Sequence, residues 1–206
     1  SANDLLAATF NEPAGTWSSW HTIDNNVPGD TVYPHAVSTV VDPDTNTFYM
    51  VAVSDVATLS SQVNIYRHDG TSAATVWWDS SEEDLSDPVL NADVDYILDA
   101  SIGIDTLTGD LYVAYIEAIS SNILVADVYY VISTDGGNTW GDPIRASDTS
   151  GDLAGITITQ ASDHRLELQW YDWNNDDISL DYSLRRIFLT DSVTVSDSMQ
   201  RHTTKV

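Results

Sequence analysis

One loop of the sequence gathers the oxygen-bearing side chains that Ca²⁺ prefers. Asp172, Asn174 and Asp176 alternate with Trp173 and Asn175, and carboxylate and amide oxygens are typical calcium ligands. The spacing is not that of an EF-hand loop, and a polar loop between two strands explains the same residues. We therefore predict no cofactor, and keep calcium at Asp172, Asn174 and Asp176 as the alternative.

Aromatic side chains offer a second kind of chemistry, the stacking of sugar rings. Trp78, Trp170 and Trp173 could each present an indole face to a carbohydrate, with polar groups at the rim. Aromatic residues that alternate along strands also fill the space between packed sheets. These three tryptophans are the candidate ligand-binding residues, and core packing is the alternative.

Other catalytic patterns are missing from the sequence. It contains no Cys, no His-x-x-x-His spacing and no Gly-x-Ser-x-Gly turn, which removes thiolate nucleophiles, the common zinc motif and the nucleophile elbow. Asp42 and Asp44 could be imagined as a carboxylate pair for glycoside chemistry. Their place in a polar stretch between two apolar segments predicts a solvated hairpin turn instead.

The formal net charge of −25 excludes several partners. It comes from 32 Asp and Glu against 7 Lys and Arg in 206 residues, and it repels nucleic-acid phosphates and anionic membrane surfaces. The longest apolar run, residues 123–132, contains Asp127 and is too short to span a bilayer. We predict no nucleic-acid partner, no membrane insertion, and a location outside the cell or on the surface of a cell or virion. The surplus of Asp over Glu fits a saline or calcium-rich setting, or simply many turns.

The residues that must position any site are organised around the stretch 133–140. It follows a run rich in β-branched residues, and its glycines can adopt a positive φ. Asp135 is short enough to accept hydrogen bonds from N–H groups of the turn, and Trp140 can cover them. The stretch predicts a hairpin turn locked by Ser133, Asp135, Gly137 and Trp140.

A strand–turn–strand pattern recurs three times, with Phe48, Leu111 and Leu166 at the same place in each copy. A third strand is predicted after each copy, followed by a fourth strand at 75–78, 143–146 and 192–195. Four antiparallel strands at this spacing are typical of β-propeller blades. We predict an all-β chain, residues 1–206, forming one β-propeller domain or part of one. The predicted units are 32–80, 97–148 and 153–196, with 10–24 as the outer strand of a preceding blade.

Within the third unit, residues 178–183 are predicted as the third strand. Residues 184–187 are predicted as the place where the locked turn has been lost.

The pattern Ser-x-Asp-x-Gly-x-x-Trp at 133–140 resembles the Asp-box, and the chain is similar to the BNR/Asp-box repeat family of sialidase-like β-propellers. Trp170-Tyr171-Asp172 and Tyr33-Pro34-His35-Ala36-Val37 extend the resemblance over residues 10–195. It implies four-stranded antiparallel blades, and six of them in the family. Three units and an outer strand do not close a ring. We expect a segment of a longer six-bladed polypeptide, two copies sharing one ring, or an open stack.

For an active exosialidase the resemblance implies an arginine triad, a Tyr nucleophile activated by Glu, and an Asp acid/base. The arginines here fall in predicted turns and outer strands, and the family's Arg-Ile-Pro motif is absent. We therefore predict that the chain is not an enzyme. The arginines are Arg67, Arg145, Arg165, Arg185, Arg186 and Arg201.

The function favoured by the sequence is a non-catalytic β-propeller module of a secreted or surface protein. It would act in recognition or as a structural building block, with protein partners or copies of itself. One alternative is a lectin-like binder of glycans. The other is a segment of a sialidase-like glycoside hydrolase.

Overall fold

The computed structural model describes residues 5–8, 10–11, 14–17, 21–24, 35–57, 60–69, 95–119, 122–147, 150–160, 166–173 and 182–188. This part of the chain is all-β and antiparallel, as predicted. No helix within it is long and apolar enough to cross a membrane. Its strands are β1 (Leu5–Ala7), β2 (Phe10–Asn11), β3 (Thr16–Trp17), β4 (His21–Asp24), β5 (His35–Val41), β6 (Thr47–Ala57), β7 (Ser60–Asp69), β8 (Asp95–Ile104), β9 (Leu111–Ile119), β10 (Asn122–Ser133), β11 (Ile144–Arg145), β12 (Asp152–Gln160), β13 (Leu166–Trp173) and β14 (Tyr182–Phe188).

The last ten strands form three sheets that follow one another along the chain. The first sheet has the order β5-β6-β7, the middle sheet β8-β9-β10-β11, and the third sheet β12-β13-β14. We call β5, β8 and β12 the inner strands, because each is the first strand of its sheet and β8 packs against both of the others. At the start of the chain β1 pairs with β4 and β2 with β3. Residues 10–24 therefore hold three short strands instead of the single predicted one.

The predicted equivalence of the three repeats is confirmed by strand register. The second strand of each sheet begins at the same place, opposite the end of its inner strand. The pairs are Val41 with Phe48, Ile104 with Leu111, and Gln160 with Leu166. The first two repeats also share one turn geometry, with a positive φ at Asn46 and at Gly109.

The third sheet corrects two predictions. Residues 184–187, predicted as a lost turn, lie inside β14, where Arg185 pairs with Trp170 and Ile187 with Leu168. The predicted third strand at 178–183 is accordingly too early. The turn was predicted at 184–187 because these residues follow the predicted third strand, but the charged pair Arg185–Arg186 is tolerated in a strand at the edge of the described sheet. Of the predicted fourth strands, 143–146 contains β11, and 75–78 and 192–195 lie outside the described residues.

The middle sheet is buried on both faces, and this places two cores between three sheets. Along β9, Leu111 and Val113 face the first sheet, whereas Tyr112 and Ala114 face the third. All four side chains are at most 6% exposed. Because side chains alternate across a strand, a continuous apolar run is the pattern of a strand covered on both sides.

Gly103 lies in the core between the middle and third sheets, against Ile158 and Leu166 of the third sheet. A methyl group at Gly103 would overlap Cγ2 of Ile158 on β12. We expect Gly103→Ala to lower the free energy of unfolding by about 1–3 kcal/mol, because overpacking a filled core forces its neighbours apart. Chemical denaturation of the variant and the parent measures this loss.

Gly141→Ala is the matched control for that substitution. A methyl group there would meet nothing closer than the Ile132 carbonyl oxygen, at 3.6 Å. We expect a change within about 0.5 kcal/mol. Equal losses for the two variants would contradict the close approach of β8 and β12.

Candidate functional site

The inner strands share an irregularity near the same end. Each has a shift in its pairing with the second strand: between His35 and Val37, between Ile97 and Asp99, and between Ala154 and Thr157. Such bulges turn side chains in new directions and are common beside active sites. Two of them contain a residue with positive φ, Ala36 at 53° and Gly155 at 60°. We call these three positions the inner-strand bulges.

Asp99 links the bulge of β8 to the bulge of β12. Its Oδ2 accepts a hydrogen bond from the backbone N–H of Ile156 at 3.0 Å, and its Oδ1 accepts one from Ala100 N–H at 2.9 Å. Ile156 lies inside the β12 bulge, where it has no register partner on β13. Asp99 is half-buried, as is Asp152 at the start of β12. These two are the carboxylates among the inner-strand side chains that the structure describes.

Sequence reasoning missed Asp99. The one available signal was a charged residue inside the mostly apolar stretch 97–102.

Serine hydroxyls fix the inner strands against one another. Ser38 Oγ accepts a hydrogen bond from Ile102 N–H at 3.3 Å, and Ser101 Oγ accepts one from Ile158 N–H at 3.0 Å. Ser38 and Ser101 occupy equivalent positions in their sheets. The same contact is therefore made twice, once between β5 and β8 and once between β8 and β12. It fixes the distance between neighbouring inner strands and so between their bulges.

The middle sheet contains a pair of buried carboxylates, separate from the half-buried Asp99 and Asp152. Glu117 on β9 lies directly opposite Asp127 on β10, and they are 2% and 7% exposed. Arg145 Nη2 binds Asp127 Oδ1 at 2.6 Å, Ser147 Oγ donates to the same oxygen at 2.9 Å, and Ser150 Oγ donates to Oδ2 at 3.1 Å. Asp127 is thus held by an ion pair and two hydroxyls. It ties β10 to the segment that leads into the third sheet.

The locked turn forms as the sequence predicts, at the end of the middle sheet opposite the bulges. Gly137 N–H donates to Ser133 Oγ at 2.8 Å, and Ser133 Oγ donates to Asp135 Oδ1 at 2.8 Å. Thr139 donates to Asp135 through its hydroxyl at 2.6 Å and its N–H at 2.9 Å. Gly136 and Gly137 have φ of 70° and 82°, where a Cβ would be strained.

The turn also fastens the middle sheet to the first sheet. Arg67 Nη1, on β7, donates to the Gly136 carbonyl oxygen at 3.2 Å and to Asn138 Oδ1 at 2.7 Å. Trp140 packs against the core between the two sheets. These contacts are structural. They hold the Arg67 side chain against the locked turn, away from the inner-strand bulges.

Hydrogen bonds give Asp135 a pH-dependent role in stability. Bonds from the Thr139 hydroxyl, the Thr139 N–H and the Ser133 hydroxyl lower the pKa of Asp135 from 3.8 to about 2. The pKa is lower in the folded state, so the stabilisation is fully present above about pH 4 and is lost as the pH falls through 2. We expect Asp135→Asn to lower the melting temperature at pH 7, and the difference from the parent to shrink between pH 4 and pH 2.

Thermal melts of both proteins at pH 7, 4 and 2 test this expectation. Asp142→Asn, at an exposed position just beyond the turn, serves as the control and should leave the melting temperature unchanged. A difference between Asp135→Asn and the parent that stays constant down to pH 2 would mean that the carboxylate charge has no part in the lock.

Of the three predicted ligand-binding tryptophans, the structure describes the side chain of Trp170. Trp170 is 4% exposed and lies in the core between the middle and third sheets. The core-packing alternative therefore holds for Trp170, because its position on β13 faces the middle sheet. Trp173 is the last residue of β13, and Trp78 lies outside the described residues.

The calcium prediction stays open. Asp172 is half-buried on β13, and Asn174 and Asp176 lie outside the described residues. The described ranges contain no group of three His, Asp or Glu side chains placed to hold a metal. If Ca²⁺ binds this loop, chelation should lower the melting temperature, because a ligand of the folded state stabilises it. Thermal melts that coincide in calcium and in excess chelator would contradict the prediction.

Comparison with known proteins shows likeness in fold but not in sequence. The chain matches no family model and no curated protein. Several solved structures match it over most of its length. A protein of unknown function from Dyadobacter fermentans DSM 18053 has a TM-score of 0.65 at 12% identity, over 97% of this chain and 52% of its own. The Hadza microbial sialidase Hz136 has a TM-score of 0.61 at 14% identity, over 89% and 38%.

A third structure is the α-L-arabinanase of Penicillium chrysogenum complexed with arabinobiose. It has a TM-score of 0.59 at 12% identity, over 88% of this chain and 54% of its own. The fold is of the sialidase-like β-propeller type. The chain spans between 38% and 54% of the length of these three structures.

These neighbours overturn the prediction that the chain is not an enzyme. A sialidase, two arabinanases and a family-43 glycoside hydrolase share its fold. The prediction was wrong because it rested mainly on the missing arginine triad and weighed a single carboxylate pair, Asp42 and Asp44. An arginine triad recognises an anionic sugar, whereas glycoside hydrolysis in general needs a pair of carboxylates.

Proposed function

We propose that this chain is a segment of a sialidase-like β-propeller glycoside hydrolase, with its site at the inner-strand bulges. The observation that carries the proposal is the fold shared with glycoside hydrolases over 88–92% of the chain. The Ser133–Trp140 turn is then an Asp-box of a BNR-type repeat, and each of the three sheets is one blade. Further blades would complete the ring.

Asp99 is the residue best placed to act on a substrate. It lies on an inner strand at a bulge, it is half-buried, and two backbone N–H groups fix its carboxylate. A carboxylate held in this way is pre-organised for acid/base or electrostatic work on a glycosidic bond. Asp127 and Glu117 fit that role less well, because both are buried inside the middle sheet.

A neutral glycan suits this site better than a sialoside. The described inner strands contain no Arg or Lys, and the net charge of −25 repels anionic sugars. The arabinanase neighbour binds arabinobiose, a neutral disaccharide. We therefore assign the substrate to the neutral polysaccharides.

Glycans are accordingly the proposed partners, and the proposed location is outside the cell or on its surface. Polysaccharides do not cross membranes, so an enzyme that degrades them must meet them outside. An acidic surface stays hydrated in a saline medium, which agrees with the surplus of Asp.

Assays of the full-length polypeptide test the proposed function. Release of reducing sugar from arabinan and xylan is measured beside cleavage of a fluorogenic sialoside. We expect turnover of a neutral glycan and none of the sialoside. Asp99→Asn keeps an oxygen acceptor for Ile156 N–H but removes the charge, so activity should fall by about 10²-fold or more while the melting temperature stays close to that of the parent.

Asp110→Asn is the matched control, because Asp110 lies in the turn at the other end of the inner strand. It should leave turnover unchanged. Full activity of the Asp99→Asn variant would show that Asp99 takes no part in the reaction. If the full-length polypeptide turns over no glycan, the proposal of a hydrolase is wrong, and a lectin-like binder is the remaining candidate.

A further inference from the structure

The β12 bulge depends on a glycine with a positive φ. The register shift between Ala154 and Thr157 leaves two residues, Gly155 and Ile156, opposite the single residue Trp170 of β13. Gly155 has a φ of 60°, which is the left-handed conformation that the first residue of a glycine bulge adopts. A residue with a Cβ is strained in this conformation. The path of β12 through the bulge therefore requires glycine at this position.

The ring of Tyr171, on the neighbouring strand β13, fills the space beside Gly155. A Cβ at Gly155 would come within 2.8 Å of Tyr171 Cδ2 and 3.2 Å of Cε2, which is closer than carbon atoms pack. The ring thus rests against the backbone of the bulge and limits how far the bulge can move. Both groups belong to the same sheet, so the contact does not depend on what packs against the other side of the ring.

The bulge directs one N–H group at Asp99. Ile156 has no register partner on β13, and its N–H donates to Asp99 Oδ2 at 3.0 Å. The Ile156 side chain is 7% exposed and packs in the core between the middle and third sheets. The Ile156 N–H is therefore fixed by the backbone conformation of Gly155 on one side and by a buried side chain on the other.

We propose that Gly155 and Tyr171 are positioning residues for the Asp99 carboxylate. They act through the Ile156 N–H, which binds one carboxylate oxygen while Ala100 N–H binds the other. A group that acts on a substrate must be held within about 0.5 Å and 10–20° of its productive geometry. If the bulge changes shape, Asp99 keeps the bond to its chain neighbour Ala100 and loses the bond that joins the two sheets.

The inference rests on the proposed function for its effect on turnover, whereas the hydrogen bond itself is measurable in a protein without activity. A residue that acts through the orientation of Asp99 alters the rate of bond breaking. A residue that stacks on the sugar alters the binding of substrate. We therefore expect the loss in kcat and not in KM.

Kinetics of the full-length polypeptide on linear arabinan and xylan measure this effect. Gly155→Ala and Tyr171→Ala should each lower kcat by about tenfold or more, because a small displacement of a reacting group is costly. Each should change KM by less than about twofold. Tyr171→Phe keeps the ring carbons that touch Gly155, so it should retain most of the activity.

Gly109→Ala is the matched control for Gly155→Ala. Gly109 has a φ of 79° in the turn between β8 and β9, and a methyl group there would meet no atom of the described residues within 4 Å. The two variants impose the same kind of backbone strain, but the one at Gly155 also displaces the N–H that binds Asp99. We expect both to lower the melting temperature, and Gly109→Ala to leave kcat unchanged.

The amide proton of Ile156 reports the hydrogen bond directly. Its NMR chemical shift is measured in the full-length polypeptide labelled with ¹⁵N-isoleucine, and Asp99→Ala gives the shift of the broken bond. Gly155→Ala and Tyr171→Ala should move the shift towards that of Asp99→Ala. Tyr171→Phe and Gly109→Ala should leave it near that of the parent. Should Gly155→Ala fail to fold, the two variants at Tyr171 carry the same test.

Three results would overturn the inference. The first is an Ile156 shift that stays unchanged in Gly155→Ala and Tyr171→Ala. The second is an unchanged kcat of both variants in an active enzyme. The third is a raised KM of Tyr171→Ala at unchanged kcat, which would make Tyr171 a substrate contact. If the parent turns over no glycan, the proposed function fails, and the Ile156 shifts alone decide whether the bulge holds Asp99.

Discussion

The stacking of the three sheets depends on how the free edges of the inner strands are covered. Among the described strands each inner strand is the edge of its sheet, so N–H groups on its far side have no ladder partner there. Ser38 supplies an acceptor to Ile102 N–H, and Ser101 supplies one to Ile158 N–H. A buried N–H without a partner is costly. These hydroxyls therefore supply the inner edges with the hydrogen-bond acceptors that a neighbouring strand supplies inside a sheet.

The same requirement explains why a carboxylate lies at the bulges. The β12 bulge removes Ile156 from the ladder with β13, and Asp99 Oδ2 takes over as the acceptor. The structural role and the chemical role proposed for Asp99 do not compete. Each carboxylate oxygen accepts a backbone hydrogen bond, and these two bonds fix the orientation of the carboxylate. A bulge with a fixed acidic group beside it is a local exception in an otherwise regular stack, and such exceptions are where function is expected.

The sequence was informative where the interactions are local. The lock at Ser133 and Asp135 was predictable because all its partners lie within one turn, and the equivalence of Phe48, Leu111 and Leu166 followed from side-chain alternation. Contacts between sheets were not predictable. The roles of Ser101 and Asp99 rest on residues more than fifty positions away. The burial of Trp170 depended on which face of β13 meets the middle sheet.

Two positions of the third sheet differ in polarity from their equivalents in the other two sheets. Glu167 and Gln169 are polar, whereas the equivalents are Tyr49 and Val51 in the first sheet and Tyr112 and Ala114 in the middle sheet, all packed in the cores between sheets. Each apolar position closed between two sheets contributes about 1.5–3 kcal/mol when a Val, Leu or Ile side chain is buried there. With Glu167 and Gln169 at these positions, the same packing would desolvate a carboxylate and an amide, and the balance reverses. A further blade that packs against this side of β13 would therefore need to offer polar partners to Glu167 and Gln169, unlike the apolar interfaces between the first, middle and third sheets.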